Sequence, residues 1–579
     1  MKLLSLNKYL YLFIYLFILI LPSQSDETID IWSKENKKND TIKAIDKIKK
    51  PVKKIVLENS NLDQQISIIE EKGSLNEERK LFGIYDPEKN NFNLNLWSQT
   101  DGNEIKKIFK RIEKINLSNF AEDLFINTIL TYSYQPSKNL TNEEFTNLKI
   151  NWLIKNKKDE ILEIFLNKNQ NYENKHKIIE YLVDKNIAKA NLNQGCEKVE
   201  FISKEIKNKY LEKFKIYCLI FKDKKNEAQL LLDILREENL SDKFFDNKIN
   251  FLLGVSKKTD DIILDNNLLN FYLSSITVTN FKYEPNENTD KYIWEYLNAA
   301  NLIELQSIED LEKIKTLEFA ANKNTYDKEK IFEIYKQIPF DLSSLISAEN
   351  TYQSLSGVQS RALIYQRYLL SDNIENKIQL LAILKQLFKK DKLSNVYTKF
   401  MSDKLREIEE NKIPEEYKKF AKNNIISETE YKLGKIKYDD KILHKSRVIR
   451  FYTEEDTPKQ KTQKDFQNVY KKIKRNKNYF FSAKDLALVE SLEIDGLIIP
   501  KEINPKEISK KYTIPENLNE LIKTENLGLL TLKFVEILGE DEVQDLDPET
   551  IYFIVHLMNQ AKFKKLRNKV LSTALPLRT

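Results

Sequence analysis

The chain has 579 residues, of which 94 are lysine or arginine and 88 are aspartate or glutamate, so its formal net charge at pH 7 is +6. This balance gives no general attraction to nucleic acid or to acidic lipid. Only 10 residues are glycine, and no two of them lie closer than ten positions apart. The spacing excludes the paired-glycine motifs of dinucleotide-binding sites, phosphate loops, protein kinases and serine-hydrolase elbows. It also argues against barrels and sandwiches, whose tight turns need positive φ angles.

The N-terminus has the three-part pattern of a secretory signal peptide. Lys2 and Lys8 precede an unbroken run of twelve apolar or aromatic residues, 10–21, and a proline and small residues follow it up to Ser25. We therefore predict a cleaved signal peptide over residues 1–25 and a periplasmic location. Because the apolar segment approaches the length of about 20 residues that spans a bilayer, the alternative is an uncleaved anchor in the inner membrane, with the chain facing the periplasm.

Residues 26–93 form a polar, lysine-rich segment in which Pro51 interrupts the short apolar stretches. This composition predicts a tether or a loosely attached segment. Runs of lysine are usually solvated surface, and the alternative hypothesis is that they bind an anionic wall polymer.

From residue 94 to residue 452 the apolar side chains recur at three- and four-residue spacing, which is typical of amphipathic helices. The first of these helices spans 104–114, with Asp101 as its expected N-cap. Such short helices, joined by polar turns, bury their apolar faces only by stacking on their neighbours. The pattern predicts an all-α fold, in which residues 94–452 form an irregular α-solenoid of stacked antiparallel helix pairs.

Cys196 and Cys218 are the two cysteines of the chain. In an exported protein a disulfide between them is the default expectation. Apolar stripes over 196–206 and 210–221 predict a helical hairpin whose turn lies midway between the cysteines, so the two sulfurs can meet; the alternative is two free buried thiols. The bond would stabilise the fold by about 3 kcal/mol, which is a structural role.

Residues 209–240 resemble a degenerate tetratricopeptide-type helix pair, with Ala228 where the second helix packs closely and Asp223 where the motif usually has glycine. The whole chain also resembles a group of long, exported, all-helical bacterial proteins. The features that carry this second resemblance are Leu96-Trp97, Asp101-Gly102, the cysteine pair and Leu546-Asp547-Pro548-Glu549. It implies a fold and a location, and no particular activity.

Beyond an acidic break near residues 452–464, the helical signals resume and predict a C-terminal helical module over 459–579. Its predicted helices span 483–492, 527–538 and 547–575. Pro548 suits the first position of the last helix, since a proline there loses no helical hydrogen bond.

One motif suggests catalysis. Val489-Glu490-Ser491 resembles the lytic transglycosylases, in which the catalytic glutamate is followed by serine, and the resemblance implies that Glu490 is a general acid. The glycine- and methionine-rich segment that those enzymes carry downstream is missing here. The simpler interpretation is that Glu490 is a solvated position on its helix.

The remaining candidates are weaker. The three histidines are dispersed, and none belongs to a metal-binding helix motif. The basic run 471–477 is flanked by Tyr470, Tyr479 and Phe480 and could stack on nucleic acid. Export argues against that partner and favours a solvated helix face or contact with an acidic polymer.

Together these observations predict an exported, non-enzymatic helical scaffold that binds an envelope protein or a cell-wall polymer on its concave side. We expect no catalytic residue, no cofactor, no metal and no nucleic-acid partner, and membrane contact only if the leader is uncleaved. The alternative is a peptidoglycan-acting enzyme with Glu490 as its general acid. The oligomeric state is left open.

Overall fold

The computed structural model describes residues 81–202, 208–303, 305, 307–426, 435–503, 505–510, 512 and 515–578. The predicted signal peptide and the lysine-rich segment up to residue 80 lie outside the described residues.

The described residues form 27 α-helices and one two-stranded antiparallel sheet, so the fold is all-α as predicted. The helices are α1 Gly102–Ile112, α2 Asn119–Ile129, α3 Asn142–Lys155, α4 Asp159–Lys168, α5 Lys175–Ala188, α6 Leu192–Glu197, α7 Lys209–Phe221, α8 Lys225–Glu237, α9 Lys243–Leu253, α10 Leu268–Thr277, α11 Lys291–Ala299, α12 Leu311–Asn322, α13 Lys328–Gln337, α14 Leu342–Ile346, α15 Ala348–Thr351, α16 Gly357–Leu370, α17 Ile374–Lys390, α18 Ser394–Arg406, α19 Glu415–Asn424, α20 Arg450–Thr453, α21 Lys459–Arg475, α22 Ala483–Ile494, α23 Pro505–Ser509, α24 Glu516–Lys523, α25 Leu527–Leu538, α26 Pro548–Gln560 and α27 Lys564–Ala574. Short 3₁₀ helices span Pro87–Asn90, Lys198–Phe201, Tyr352–Ser354, Glu410–Lys412, Leu443–Lys445 and Arg447–Ile449. The strands are β1 Ile436–Lys437 and β2 Leu577–Arg578, with Ile436 opposite Arg578.

Local side-chain caps start many of these helices. The Asp101 carboxylate accepts a hydrogen bond from the backbone N–H of Asn103 at 2.7 Å, which confirms the predicted cap of α1. Thr141 and Glu144 form a reciprocal capping box at the start of α3, with bonds of 3.1 and 3.0 Å. Each cap satisfies backbone donors that the first helical turn leaves without a partner. Short-range chemistry of this kind is why the starts of the helices could be predicted.

Six helix pairs share the same three-residue connection: α3–α4, α5–α6, α7–α8, α17–α18, α24–α25 and α26–α27. The middle residue of each connection has a left-handed backbone, with φ between 54° and 61°. The next backbone N–H reaches the carbonyl five residues back at 2.7–2.9 Å. This is the Schellman ending of a helix, for which glycine is the usual residue. The six left-handed residues are Lys157, Ala190, Asp223, Lys392, Glu525 and Lys562.

One of these endings explains a helix prediction that was wrong. The helix predicted over 547–575 is two helices, because the left-handed Lys562 stops α26 and lets α27 fold back beside it. The helix predicted over 196–206 is wrong in a different way: α6 begins already at Leu192 and ends at Glu197, a 3₁₀ turn follows, and Ile202 is extended and buried. Residues 203–206 of that prediction lie outside the described residues. No glycine marks either break, so neither had a local signal.

The buried side chains form two clusters. The first core collects residues 84–297 and 443–575, and the second core collects residues 294–421. Residues 81–93, which the sequence analysis groups with the lysine-rich segment, contribute Ile84 and Phe92 to the first core. The boundaries predicted at 93, 452 and 459 stay predictions. What the packing itself shows is that residues from both ends of the described chain share one core.

The C-terminal helices pack directly on the N-terminal ones. Helix α25 lies against α1 and α2, and the backbone N–H of Gly528 donates to the carbonyl of Leu96 at 2.9 Å. A Cβ atom at residue 528 would lie 2.5 Å from the Trp97 ring, so only glycine permits this approach. Phe92 packs edge-on against Phe563 at 5.2 Å between ring centroids. The first core is therefore closed by long-range contacts between segments more than 400 residues apart.

Cys196 and Cys218 form a disulfide with their Cα atoms 5.4 Å apart. It joins the end of α6 to the last part of α7, and both cysteines are buried in the first core. The bond therefore covalently joins two helices that pack against each other.

Candidate functional site

A cleft of about 720 Å³ lies where the two cores meet. One wall comes from the end of α3 and from α5, and the other from α11 and the connection between α12 and α13. Its volume is that of sites which hold a small molecule or a short stretch of polymer. We call this site the inter-core cleft.

Helix α11 fixes the two walls relative to each other. Ile293 and Leu297 belong to the first core, whereas Trp294 on the same helix belongs to the second core. The Trp294 indole N–H donates to the carbonyl of Asn286 at 3.1 Å, which orients the ring. The cleft is therefore lined by a helix that is anchored in both cores.

Five lysines line the inter-core cleft, against two acidic residues, Glu295 and Asp327. Three of the lysines have carboxylate partners. Lys155 pairs with Glu113 at 3.1 Å, Lys291 pairs with Glu295 at 3.7 Å, and Lys185 pairs with Asp159. The other two are Lys157 and Lys189, which are solvent-exposed and have no carboxylate partner in the described part of the chain.

The lysines of the cleft act on one another. Burial lowers the pKa of Lys185, and the positive charges of Lys189 and Lys157 lower it further, with a smaller contribution from Lys291. Like charges at this range disfavour the charged form of each group. The charge of Glu295 opposes this effect, and Lys157 and Lys189 remain the two lysines of the cleft without a carboxylate partner among the described residues.

Three tyrosines, Tyr181, Tyr292 and Tyr326, complete the lining. The Tyr181 hydroxyl donates to an Asp159 carboxylate oxygen at 2.8 Å. Burial raises the pKa of both Tyr181 and Tyr292 to about 12, so the phenols are neutral at pH 7. They therefore add ring surface and hydroxyl groups to the cleft without adding negative charge.

Glu490, the candidate general acid, lies elsewhere, on α22. Its side chain is 14% exposed and lies against Tyr552 and His556 of α26. The Tyr552 hydroxyl donates to one carboxylate oxygen at 3.1 Å, and His556 Nδ1 lies 2.8 Å from the other. His556 Nε2 lies 2.7 Å from the side-chain amide nitrogen of Gln560, which can only donate. These contacts match a histidine whose Nδ1–H donates to the Glu490 carboxylate and whose Nε2 accepts from Gln560.

This arrangement suits a structural carboxylate better than a general acid. A general acid must direct its own proton towards a substrate, whereas both Glu490 oxygens already accept hydrogen bonds. The neighbouring Ser491 is fully buried, and its hydroxyl donates to the Ala487 carbonyl at 2.8 Å within the helix. Both residues of the motif, Glu490 and Ser491, therefore make contacts that hold α22 together or join it to α26.

A serine–histidine–aspartate group that the sequence analysis missed lies at the start of α22. His444 Nδ1 lies 2.7 Å from Asp485 and 3.3 Å from the Ser482 hydroxyl. In a catalytic triad the aspartate and the serine contact different ring nitrogens, whereas here both contact Nδ1. Burial alone would raise the pKa of Asp485, but the hydrogen bond and charge of His444, together with the hydrogen bonds from Ser482 and Tyr479, outweigh it and the pKa is lowered. The group therefore connects the segment around His444 to the first turn of α22 by hydrogen bonds.

The basic run 471–477 lies at the exposed end of α21 and its following turn. Lys472 pairs with Asp440 at 3.1 Å and Lys474 with Glu502 at 3.0 Å. The Tyr479 hydroxyl donates a hydrogen bond to Asp485 at 2.8 Å. The run is a solvated helix face whose charge is partly neutralised.

In the described ranges, no group of three or more potential metal ligands lies together. None of the helices described here combines the length and the apolar character that crossing a bilayer requires. Comparison of the chain with models of protein families, with curated proteins and with solved structures gives no match. The candidate site therefore stands on its own geometry.

Proposed function

We propose that the protein is an exported, non-enzymatic helical scaffold of the cell envelope, which binds an envelope protein or a cell-wall polymer in the inter-core cleft. The observation that carries the proposal is the cleft itself, concave, lined by tyrosines and lysines, and held by a helix anchored in both cores. Stacked helix pairs commonly bind their partners on such concave surfaces.

Two features support the location. The Cys196–Cys218 disulfide is of the kind that persists in an oxidising compartment. The N-terminal 25 residues have the composition of a signal peptide and lie outside the described residues. N-terminal sequencing of the protein recovered from the periplasm should begin at Asp26, and recovery of the full-length chain from the inner membrane would favour the uncleaved anchor.

The binding function is tested by crosslinking in intact cells that express the tagged full chain, followed by mass spectrometry of the captured material. The variant Ala299→Trp fills the cleft from an exposed position of α11. Leu230→Trp on α8, where Leu230 is 65% exposed, is the matched control. We expect envelope partners that the wild type and Leu230→Trp capture and Ala299→Trp loses. Partners captured equally by all three proteins would contradict binding in the cleft.

The second candidate function is peptidoglycan cleavage with Glu490 as general acid. One observation favours it: Glu490 is a mostly buried carboxylate beside the aromatic Tyr552. The test is release of soluble fragments from purified peptidoglycan by the wild type and by Glu490→Gln, which keeps the shape of the side chain. We expect no release by either protein. Release by the wild type alone would replace the scaffold with an enzyme.

A further inference from the structure

The inter-core cleft has a charge pattern that selects among the partners just proposed. Its lining holds five ammonium groups and two carboxylates. Lys157 stands in the left-handed turn after α3, and Lys189 stands just after the last residue of α5. Neither has a carboxylate partner among the residues that the structure describes, so two positive charges face the cleft uncompensated.

The surroundings strengthen the effect of these charges. The cleft is a concave region between two protein bodies, where the low dielectric of the walls focuses the field of the lysines. Lys185 has a lowered pKa because of its burial and because Lys189 and Lys157 are near, while the charge of Glu295 opposes the shift. An anion in the cleft would relieve that repulsion.

The tyrosines limit the kind of anion. Tyr181 and Tyr326 are each only 9% exposed, and they line the cleft together with the amides of Asn298 and Asn324. The Tyr181 hydroxyl already donates to Asp159, so the donors that remain for carboxylate or phosphate oxygens are the Tyr326 hydroxyl and the two side-chain amides. The lining therefore suits a polyoxygen anion, and a volume of about 720 Å³ admits one of small-molecule size.

We infer that the inter-core cleft binds a compact anion that carries two or more carboxylate or phosphate groups, with Lys157 and Lys189 as its charge partners. The inference rests on the proposed function. Of the two partner classes, it favours an acidic polymer, whose repeating groups enter the cleft, over a protein.

The test measures binding of inorganic tripolyphosphate and of citrate to the purified full chain by titration calorimetry. The variant Lys157→Gln/Lys189→Gln removes the two unpaired lysines of the cleft. Lys471→Gln/Lys477→Gln, at exposed positions of the basic run, changes the net charge by the same amount elsewhere. We expect the cleft variant to weaken binding roughly tenfold and the control to stay within about twofold of the wild type.

A charge-preserving variant separates charge from folding. Lys157→Arg/Lys189→Arg should keep the wild-type affinity, and thermal unfolding of all variants shows whether they are folded. Absence of binding to the wild type, or an equal loss in the cleft variant and the control, would overturn the inference. Long-chain polyphosphate, titrated in parallel, distinguishes a polymer from a free anion: tighter binding per chain than tripolyphosphate indicates a polymer, and equal binding indicates a free anion.

The outcome is distinguishable from that of the scaffold proposal. If the cells yield partners that Ala299→Trp loses while no anion binds, the scaffold stands, its partner is a protein, and the anion inference fails. If the anions bind in the cleft while no envelope partner is captured, the anion site stands and the scaffold fails.

Discussion

Two buried basic side chains, one in each core, are accommodated in opposite ways. In the second core, Arg361 is 1% exposed and lies among acidic partners. In the first core, Lys149 is 3% exposed, and its ammonium lies over the Phe145 ring, 4.0 Å from the ring centroid. No carboxylate partner of Lys149 occurs among the residues described here. The same problem, a charge taken out of water, has two solutions in one chain.

The arginine of the second core is fully compensated. Its guanidinium donates to both Glu318 oxygens, at 3.0 and 2.5 Å, and also bonds Asp391. The Tyr335 hydroxyl joins the same group by donating to Glu318. Burial nevertheless raises the pKa of Glu318, since its fully buried carboxylate has lost its water. The charge and hydrogen bonds of Arg361 oppose this shift, since they lower the pKa of Glu318.

Lys149 has no such partner within the described ranges, and its burial instead makes its ammonium easier to deprotonate. Burial lowers the pKa of Lys149 from 10.5 to about 7. A ring face attracts an ammonium only weakly compared with a carboxylate. The comparison shows that a carboxylate partner can offset the burial of a basic group, as Asp495 also does for the buried Arg567 at 2.6 Å, whereas Lys149, without such a partner among the described residues, titrates near neutral pH.

The largest effect should come from breaking the compensated site. Arg361→Met leaves the Glu318 carboxylate buried without its cation, so we expect the second core to lose about 3–5 kcal/mol of stability. Hydrogen exchange followed by mass spectrometry measures this, with protection falling in α12, α13, α16 and α17 and not in α1–α5. The double variant Arg361→Met/Glu318→Gln should recover part of the loss, because it removes the orphaned charge. A loss below about 1 kcal/mol in the single variant would contradict the role given to Arg361.

The next largest effect should come from the disulfide, which lies in the first core and not in the second. Cys196→Ser/Cys218→Ser removes the disulfide of the first core, and we expect that core alone to lose about 3 kcal/mol, because the unfolded chain is no longer constrained. Exchange of α6 and α7 should rise in the variant, and in the wild type after reduction. The second core, which contains no cysteine, is the internal control. Equal destabilisation of both cores would show that they unfold as one unit.

The smallest effect should be a gain in stability. Lys149→Met removes the desolvation of an ammonium, and we expect the first core to gain at least about 1 kcal/mol at pH 7. The folded pKa of Lys149 lies below its unfolded value, so the unfolded state binds more protons between about pH 7 and 10.5. Wild-type stability from this group therefore rises over that window and is lost as the pH falls towards 7. The gain of the variant should shrink accordingly as the pH rises.

Unfolding by urea at pH 6, 7, 8 and 9 measures this trend. Lys155→Met, on the exposed end of the same helix, is the control and should show no such pH dependence. A gain that stays constant over this range would show that the ammonium of Lys149 does not titrate there.

The sequence predicted much of the fold and little of the site. The helix starts at Asp101, Thr141 and Asp547 follow from caps and spacing that lie within one helical turn. The inter-core cleft had no such signal, because Lys157 and Lys189 lie in the connections after two different helices and Lys291 lies at the start of a third. Each alone looks like an ordinary surface lysine, and only packing makes them a group.

Glu490 shows the converse: the sequence indicated a site there, and the tertiary contacts favour a structural role. Its motif suggested catalysis. The sequence could not show that Tyr552 and His556, more than sixty residues away in the chain, lie beside it and that both of its carboxylate oxygens accept hydrogen bonds. The His444–Asp485 pair was likewise invisible, since its members are 41 residues apart.

By itself, the sequence determined the all-α class and helix starts such as those after Asp101 and Asp547, because a periodicity of 3.6 residues and side-chain caps act over one or two turns. The pairing of Cys196 with Cys218 followed from their being the two cysteines of the chain, although one of the two helices used to place them was wrong. The tertiary structure alone decided where helices without glycine end, how Gly528 lets the C-terminal helices close the first core, and which lysines face one another between the cores. These features depend on contacts between residues far apart in the chain, whose free energy appears only when the helices pack.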